Sequence, residues 1–132
     1  MNFSKYINLP YKHEGRDFDG VDCYGLLYLI YKNERNIILP EYDYSEEWAK
    51  IGYNYIEDET RHTLHWKKVG EPYKIFDVII LYASLKKVVA NHLGIYIGND
   101  KFIHILNEKH NSMVERLSRW ESRLYGVWRY IG

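Results

Sequence analysis

Hydrophobic residues recur at helical spacing in the first third of the chain and predict a helix over residues 22–33. The apolar residues that would share one side of this helix are Leu26, Leu27, Ile30 and Tyr31. Asp22 is suited to the N-cap, so Cys23 is predicted to lie in the first turn. Residues 11–21 mix Gly and Asp with little periodicity, which indicates a loop that leads into Cys23.

The hydrophobic period changes in the C-terminal half of the chain, from that of helices to that of strands. Residues 45–59 still predict a second helix, with Ser45 as a candidate cap. Short runs rich in β-branched and aromatic residues follow at about 77–84, 92–98, 101–106, 113–117 and 126–131. These runs predict an antiparallel sheet. The predicted fold class is therefore α+β, with N-terminal helices packed on the sheet.

Within this half, HLGIYIGNDKFIHIL predicts a hairpin that turns near Gly98. The apolar residues that alternate toward one face are Leu93, Ile95 and Ile97, so His92 lies on the other face. A two-residue loop would pair Ile95 with His104 and put the two histidines on opposite faces. A three-residue loop, or a bulge at Gly98, would bring them together. A site that uses both histidines requires the second register.

The bulk composition is that of a folded globule. Of the 132 residues, 46% are hydrophobic and 17% aromatic, and a single domain over residues 1–132 accounts for this length. Eighteen basic residues balance eighteen acidic ones, which argues against nucleic acid as a partner. The longest apolar run, residues 76–84, is too short for a transmembrane helix, so no membrane insertion is expected. The first residues lack a secretion-signal pattern, so synthesis in a cytoplasm is expected.

Cys23 is the candidate for chemistry because it is the only cysteine, so no internal disulfide can occupy its thiol. At a helix N-terminus, N–H groups and the helix dipole would stabilise a thiolate, and an imidazolium at His92 would add to this. His104 could accept the second ring N–H of His92. Backbone N–H groups near Cys23 would form an oxyanion hole. The residues thus suggest a nucleophile held as a thiolate beside an imidazolium.

Blander interpretations of the same residue types remain open. A cysteine on an apolar helix is often only a small buried side chain, and a lone histidine on a strand is usually structural. His62 and His65 permit a metal site, but no Cys-x-x-Cys or His-Glu-x-x-His motif accompanies them. We expect both histidines at an exposed helix end, and no metal or cofactor. Trp66, Trp120 and Trp128 are expected to pack in the core.

Two motifs resemble the NlpC-type family of papain-like cysteine peptidases. They are GVDCYGLLYLIY, residues 20–31, and NHLGIYIGNDKFIHIL, residues 91–106. The family signature is an Asp-Cys-Ser-Gly-Leu helix start followed by a His-x-Gly-Ile-Tyr-x-Gly hairpin. The resemblance implies a papain-like fold in which Cys23 is the nucleophile, His92 the base and His104 the residue that orients the base.

Residues around these motifs extend the resemblance and also depart from it. Tyr11 matches a family tyrosine whose hydroxyl points into the site, and we expect it to contribute to substrate or oxyanion binding together with Asp22 and Tyr24. Tyr24 itself replaces a serine that helps to hold the substrate's amino end in bacterial members. Phe76 replaces the usual Gly before Asp77, which opens a central strand.

Three further segments resemble the cell-wall peptidases of phage tails and gene transfer agents: IILPEY, WKKV and the closing RW…GVWR. This subset implies hydrolysis of peptidoglycan stem peptides through a thioester, at the bond from γ-D-glutamyl to a diamino acid. The implied partners are the stem peptide and other tail-tip proteins, such as hub or distal tail components. The protein would act at the bacterial cell wall, from a virion tail tip, during DNA delivery. The alternative is a structural tail-tip assembly or plug protein that keeps the peptidase fold.

Overall fold

The computed structural model describes residues 2–40, 65–82 and 92–132 of the chain. The second predicted helix, residues 45–59, lies outside these ranges. The described part combines an α-helix with an antiparallel sheet, which confirms the predicted α+β class. No helix in this part is long and apolar enough to span a membrane.

Helix α1 spans Cys23–Arg35 and extends two residues beyond its predicted end. Its start is the predicted one, because Asp22 lies at the N-cap and accepts a hydrogen bond from the Gly25 N–H at 2.8 Å. Asn36 ends the helix in the left-handed conformation, with φ of 55°. The four apolar residues of the predicted stripe are all buried. Local capping and burial of this stripe therefore fix where α1 begins and which side faces the core.

The loop before α1 packs directly on the first helical turn. Two short antiparallel strands lie within this loop, β1 (Arg16–Asp17) and β2 (Gly20–Val21). Each has only two residues, too few to show the alternation by which a strand is recognised in sequence. The Gly15 carbonyl oxygen lies 1.8 Å from where a Cβ of Gly25 would stand. A side chain at Gly25 would therefore push the loop away from the start of α1.

Within the described ranges, six antiparallel strands form the main sheet in the order β3-β8-β4-β5-β6-β7. The strands are β3 (Trp66–Val69), β4 (Val78–Leu81), β5 (His92–Gly98), β6 (Lys101–His104), β7 (Met113–Arg116) and β8 (Leu124–Tyr130). The five predicted runs correspond to β4 through β8. The polar pair Lys67 and Lys68 interrupts the hydrophobic pattern of β3 and hides it from prediction. His65 is exposed, as predicted, and lies in the turn before β3. His62 and the predicted helix end lie outside the described residues.

Alternate residues of the sheet belong to two hydrophobic clusters. The cluster that includes α1 contains, among others, Leu26, Ile30, Val78, Leu93 and Ile95. The second cluster contains Ile79, Leu81, Phe102, Leu117, Trp120 and Val127. The 3₁₀-helix Leu117–Arg123 contributes Trp120 to this second cluster. Trp120 and Trp128 are each 8% exposed, which confirms their predicted place in the core, and Trp66 is half-buried.

The hairpin of β5 and β6 has the register that places both histidines on one face. Its turn has two residues, yet Gly94 rather than Ile95 pairs with His104, because β5 is bulged just before Gly98. Gly98 has φ of 93°, a conformation that glycine adopts without strain. Side chains two residues apart share a face, so His104 lies on the face of His92. Of the alternatives that the sequence left open, the structure has the bulge, and it has the register that a site with both histidines requires.

Phe76, two residues before β4, occupies the position where the resemblance led us to expect glycine. Phe76 has φ of 79°, in the left-handed region that glycine prefers. Its ring packs edge-on against Phe3 at 5.7 Å and Tyr31 at 6.2 Å, and this packing offsets the backbone strain. Asp77, which is 1% exposed, accepts two hydrogen bonds of 2.8 Å from the Arg129 guanidinium. Asp77 thereby ties β4 to β8 and has a structural role.

Candidate active site

Cys23 is the first residue of α1 and lies beside the start of β5. Backbone N–H groups of Tyr24 and Leu93 face its sulfur. Because Leu93 follows His92 directly, the helix start and the strand start bring the candidate nucleophile and base to adjoining positions. In the part of the chain that the structure describes, His92 hydrogen-bonds to His104 and makes no such bond to the Cys23 sulfur. Catalytic hydrogen bonds of this kind often tighten only when substrate binds.

His92 and His104 form a hydrogen-bonded pair of imidazoles. His92 Nε2 lies 2.8 Å from His104 Nδ1. The two residues are 3% and 0% exposed, so neither ring exchanges this contact for water. Since Nε2 of His92 is engaged, its Nδ1 is the nitrogen left to take a proton from a nucleophile. In this contact His104 is placed to orient His92, and the catalytic roles of the two histidines stay predictions.

Glu115, which the sequence did not single out, and Trp120, which it indicated only as a core residue, extend the pair of hydrogen-bonded histidines. Glu115 Oε2 lies 2.5 Å from His104 Nε2, and the same oxygen accepts a hydrogen bond from the Trp120 indole N–H at 3.0 Å. Phe102 is the strand partner of Glu115, which puts Glu115 on the face of His104. The only sequence signal was an acid in the run MVER, which is also typical of a solvent-facing strand position. Strand register, not composition, identifies Glu115.

Burial favours the neutral thiol at Cys23. The pKa of Cys23 is raised to about 12, mainly because burial removes the thiol from water and also because the Asp22 carboxylate lies nearby. The N–H groups of Leu93 and Tyr24, and the Arg16 guanidinium, act in the opposite direction but are outweighed. The helix start therefore helps the thiolate, as expected, without overcoming the cost of desolvating it.

Burial likewise favours neutral imidazoles. Desolvation holds the pKa of His92 well below its usual value, and the neighbouring His104 and Arg123 lower it further. The pKa of His104 is also lowered by burial, although the Glu115 carboxylate opposes this shift. The resting site therefore holds a neutral thiol beside a neutral base.

This charge state differs from the thiolate and imidazolium pair expected from the sequence. Helix-dipole and pairing arguments assume a partly solvated site, whereas Cys23 is only 9% exposed. The sequence cannot report this burial. Proton transfer from Cys23 to His92 would leave the net charge of the pair unchanged, so the neutral pair is still competent for base-assisted attack.

Asp22 is occupied by structural hydrogen bonds. Its Oδ1 accepts from the Gly25 N–H and lies 3.3 Å from the Arg16 guanidinium, and its Oδ2 accepts from the Glu14 N–H at 2.9 Å. It is 3% exposed. These contacts cap α1 and hold the loop before it. A direct contact between Asp22 and a substrate stays a prediction.

Tyr11 and Tyr24 both lie near the start of α1. The Tyr11 backbone forms a bridge with Val21, two residues before the candidate nucleophile. The Tyr24 hydroxyl donates to the Pro40 carbonyl oxygen, and the Arg16 guanidinium lies 5.2 Å from the centre of the Tyr24 ring. The Tyr24 side chain is therefore held by contacts with Pro40 and Arg16. Substrate binding by either tyrosine stays a prediction.

Comparison with known proteins relates this chain to one family. Residues 8–129 match the model of the NlpC/P60 family. The chain is 26% identical over 118 residues to the tail tip assembly protein K of Escherichia phage lambda. That match covers 88% of this chain and 58% of the phage protein, so the chain spans less than two thirds of that relative.

Solved structures share the fold at low sequence identity. An NlpC/P60 family protein from Bacillus cereus superposes with a TM-score of 0.69 at 22% identity, over 96% of this chain and 37% of that one. The peptidoglycan hydrolase RipB from Mycobacterium tuberculosis gives a TM-score of 0.61 at 17% identity, over 98% of this chain and 61% of that one. The sheet, α1 and the hairpin thus form a papain-like architecture.

Proposed function

Because the chain belongs to the NlpC/P60 family, we propose that it is a peptidoglycan hydrolase that uses Cys23 as its nucleophile. The observation that carries this proposal is the convergence of Cys23, His92 and His104 where α1 meets the β5–β6 hairpin. Acyl transfer requires a nucleophile, a base beside it and a group that orients the base. These three residues supply those parts.

In the proposed reaction, Nδ1 of His92 takes the Cys23 proton while the sulfur attacks the carbonyl carbon of an amide. The Tyr24 N–H at the helix start stabilises negative charge on the carbonyl oxygen. The C–N bond then breaks as His92 returns the proton to the leaving nitrogen, and the acyl group stays on sulfur as a thioester. Water then gives a proton to His92 as its oxygen attacks the acyl carbon. The C–S bond breaks, the acid is released, and His92 returns the proton to the sulfur to restore the thiol.

The proposed substrate is the stem peptide of peptidoglycan, cut at the bond from γ-D-glutamyl to a diamino acid. Support comes from the family and from fold neighbours that include a peptidoglycan hydrolase. Tyr11 and Tyr24 flank the start of α1 and would contact the peptide on the amino side of this bond.

The proposed setting is a phage-type tail tip, in which the protein opens the cell wall during DNA delivery. Support comes from the similarity to a tail tip assembly protein of phage lambda. Other tail-tip components, such as hub or distal tail proteins, would be its partners.

Digestion of purified peptidoglycan tests the proposed activity. Wild-type protein and Cys23→Ala would be incubated with sacculi and with isolated muropeptides whose third residue is either diaminopimelate or lysine. Mass spectrometry should find peptides cut between the second and third residues with the wild type and none with Cys23→Ala. Equal fragment yields from both proteins, or no fragments from folded wild type, would refute the hydrolase.

A structural role in the tail tip is the second candidate function. The observation that favours it is the small exposure of Cys23 and His92, 9% and 3%, which leaves little room for a substrate in the site as it stands. A plug or docking protein would keep this closed fold without turnover. Such a protein would assemble into tails as well with Cys23→Ala as with the wild type, and its isolated form would leave muropeptides intact.

A further inference from the structure

Glu115 holds the outer end of the histidine pair through a single oxygen. Its Oε2 is 2.5 Å from His104 Nε2 and 3.0 Å from Trp120 Nε1. The Glu115 side chain is 30% exposed, whereas His104 is fully buried. The indole N–H can only donate, so it fixes the oxygen as an acceptor and aims it at the imidazole.

The contact between Glu115 and His104 determines which ring nitrogens of His104 and His92 carry protons. An ionised carboxylate only accepts hydrogen bonds, so Nε2 of His104 must be the protonated nitrogen. Burial keeps His104 neutral, which leaves its Nδ1 as a lone-pair acceptor. The 2.8 Å contact then needs the proton on His92 Nε2, and Nδ1 of His92 must be bare. Only that tautomer of His92 can take a proton from Cys23.

We propose that Glu115 is a positioning residue that, with the Trp120 N–H, sets the tautomers of both histidines and so keeps His92 Nδ1 ready to act as base. Its importance for turnover rests on the proposed hydrolase function, whereas its effect on the tautomers does not. In the opposite arrangement His104 would donate from Nδ1, His92 would accept at Nε2, and Nδ1 of His92 would carry the proton. That form cannot deprotonate the thiol.

Charged and titratable groups on three elements bear on the pair. Glu115 approaches from β7, His110 from the segment before β7, and Arg123 from the end of the 3₁₀-helix. Of these, Glu115 hydrogen-bonds to His104 and is the group that favours a proton on its ring. Its removal should therefore change the tautomers more than a change at either other position.

Glu115→Gln and Glu115→Ala separate orientation from charge. The Gln carbonyl oxygen can occupy the Oε2 position and accept from both His104 and Trp120, whereas Ala removes the acceptor. We expect kcat on muropeptides to fall about tenfold to hundredfold in Glu115→Ala and to recover to within a few-fold of wild type in Glu115→Gln. KM should change little, because Glu115 lies beyond His104. Glu121→Ala, an exposed acid on the adjoining 3₁₀-helix, is the matched control and should retain wild-type kcat.

Nitrogen NMR of the two imidazoles in the free protein gives a readout that needs no turnover. At neutral pH, wild type and Glu115→Gln should show protonated Nε2 and bare Nδ1 on both rings, and Glu115→Ala should show mixed tautomers. Circular dichroism would establish that each variant is folded. Unchanged tautomers and kcat in folded Glu115→Ala would overturn the role of Glu115. Mixed tautomers in that variant, beside an inactive wild type, would support the role of Glu115 and overturn the hydrolase.

Discussion

At the scale of single residues, the proposed chemistry depends on the neutral forms of two buried groups. Cys23 retains its proton because burial raises the pKa of its thiol, and His92 is bare because burial lowers the pKa of its ring. The reactive form is therefore the one with a thiol and a neutral imidazole. It exists between the lowered pKa of His92 and the raised pKa of Cys23.

This window predicts the pH dependence of hydrolysis. As pH falls from 8 to 6.5, kcat/KM should stay nearly constant, because His92 stays neutral below the usual histidine pKa of 6.5. The decrease of kcat/KM on the acidic side should begin only below pH 6.5. The measurement is kcat/KM on a purified muropeptide between pH 4.5 and 9. A half-maximal rate at or above pH 6.5 would mean that His92 is not the buried base described above.

The three residues proposed for the reaction could be identified from sequence, but their charge state could not. A helix cap before Cys23 and a hairpin with two histidines are local patterns. Burial of Cys23 and His92 results from packing of distant segments, and Glu115 becomes a neighbour of His104 only through the β6–β7 register. The resemblance of these two motifs to a family signature therefore indicates which residues meet, whereas tertiary packing determines how they ionise.

At the scale of secondary structure, the bulge in β5 is the element that joins the histidines. The sequence left two registers open, and the alternation of Leu93, Ile95 and Ile97 did not distinguish them. Gly98 adopts a φ of 93°, which permits the bulge and thereby the register that places both histidines on one face. Short pairings such as β1 with β2 have no period to detect, so the sequence predicts the longer strands better than these.

Gly98→Ala tests the conformational requirement at the bulge. A Cβ at Gly98 would meet only Ile75, at 3.6 Å, so the cost arises from φ rather than from a clash. We expect the free energy of unfolding to fall by about 1–2 kcal/mol, measured by urea denaturation. Gly70→Ala is the matched control, because nothing lies within 4 Å of its Cβ position and its φ is not positive. If both substitutions changed the free energy of unfolding equally, the positive φ of Gly98 would not be what stabilises this register.

At the scale of the whole molecule, burial of the histidine pair links stability to pH. The pKa of His92 is lowered by folding, so the unfolded chain binds a proton more readily than the folded one as pH falls below 6.5. Neutral His92 contributes fully to the free energy of unfolding above pH 6.5, and this contribution is lost as pH falls toward the lowered pKa of His92. His104 shifts in the same direction.

Acid titration of stability measures this linkage. Between pH 7.5 and 5, His92 should reduce the free energy of unfolding by up to about 2 kcal/mol, since each pKa unit corresponds to about 1.4 kcal/mol. His92→Gln is unable to titrate and should show a smaller loss over the same range, whatever its stability at pH 7.5. Urea denaturation at both pH values provides the comparison. Parallel losses in wild type and His92→Gln would show that folding does not shift the pKa of His92.

The central claim, that Cys23 performs the hydrolysis, is tested most directly by titrating its thiol. Cys23 is the only cysteine, so a thiol reagent such as iodoacetamide can form a thioether at one position alone. Intact-mass spectrometry would count adducts while hydrolysis of muropeptides is measured on the same samples, with Cys23→Ala as the unlabelled control. We predict that activity falls in proportion to labelling, reaches zero at one adduct per chain, and is protected by substrate. Fully labelled protein that still hydrolyses muropeptides at the wild-type rate would contradict the assignment of Cys23 as nucleophile.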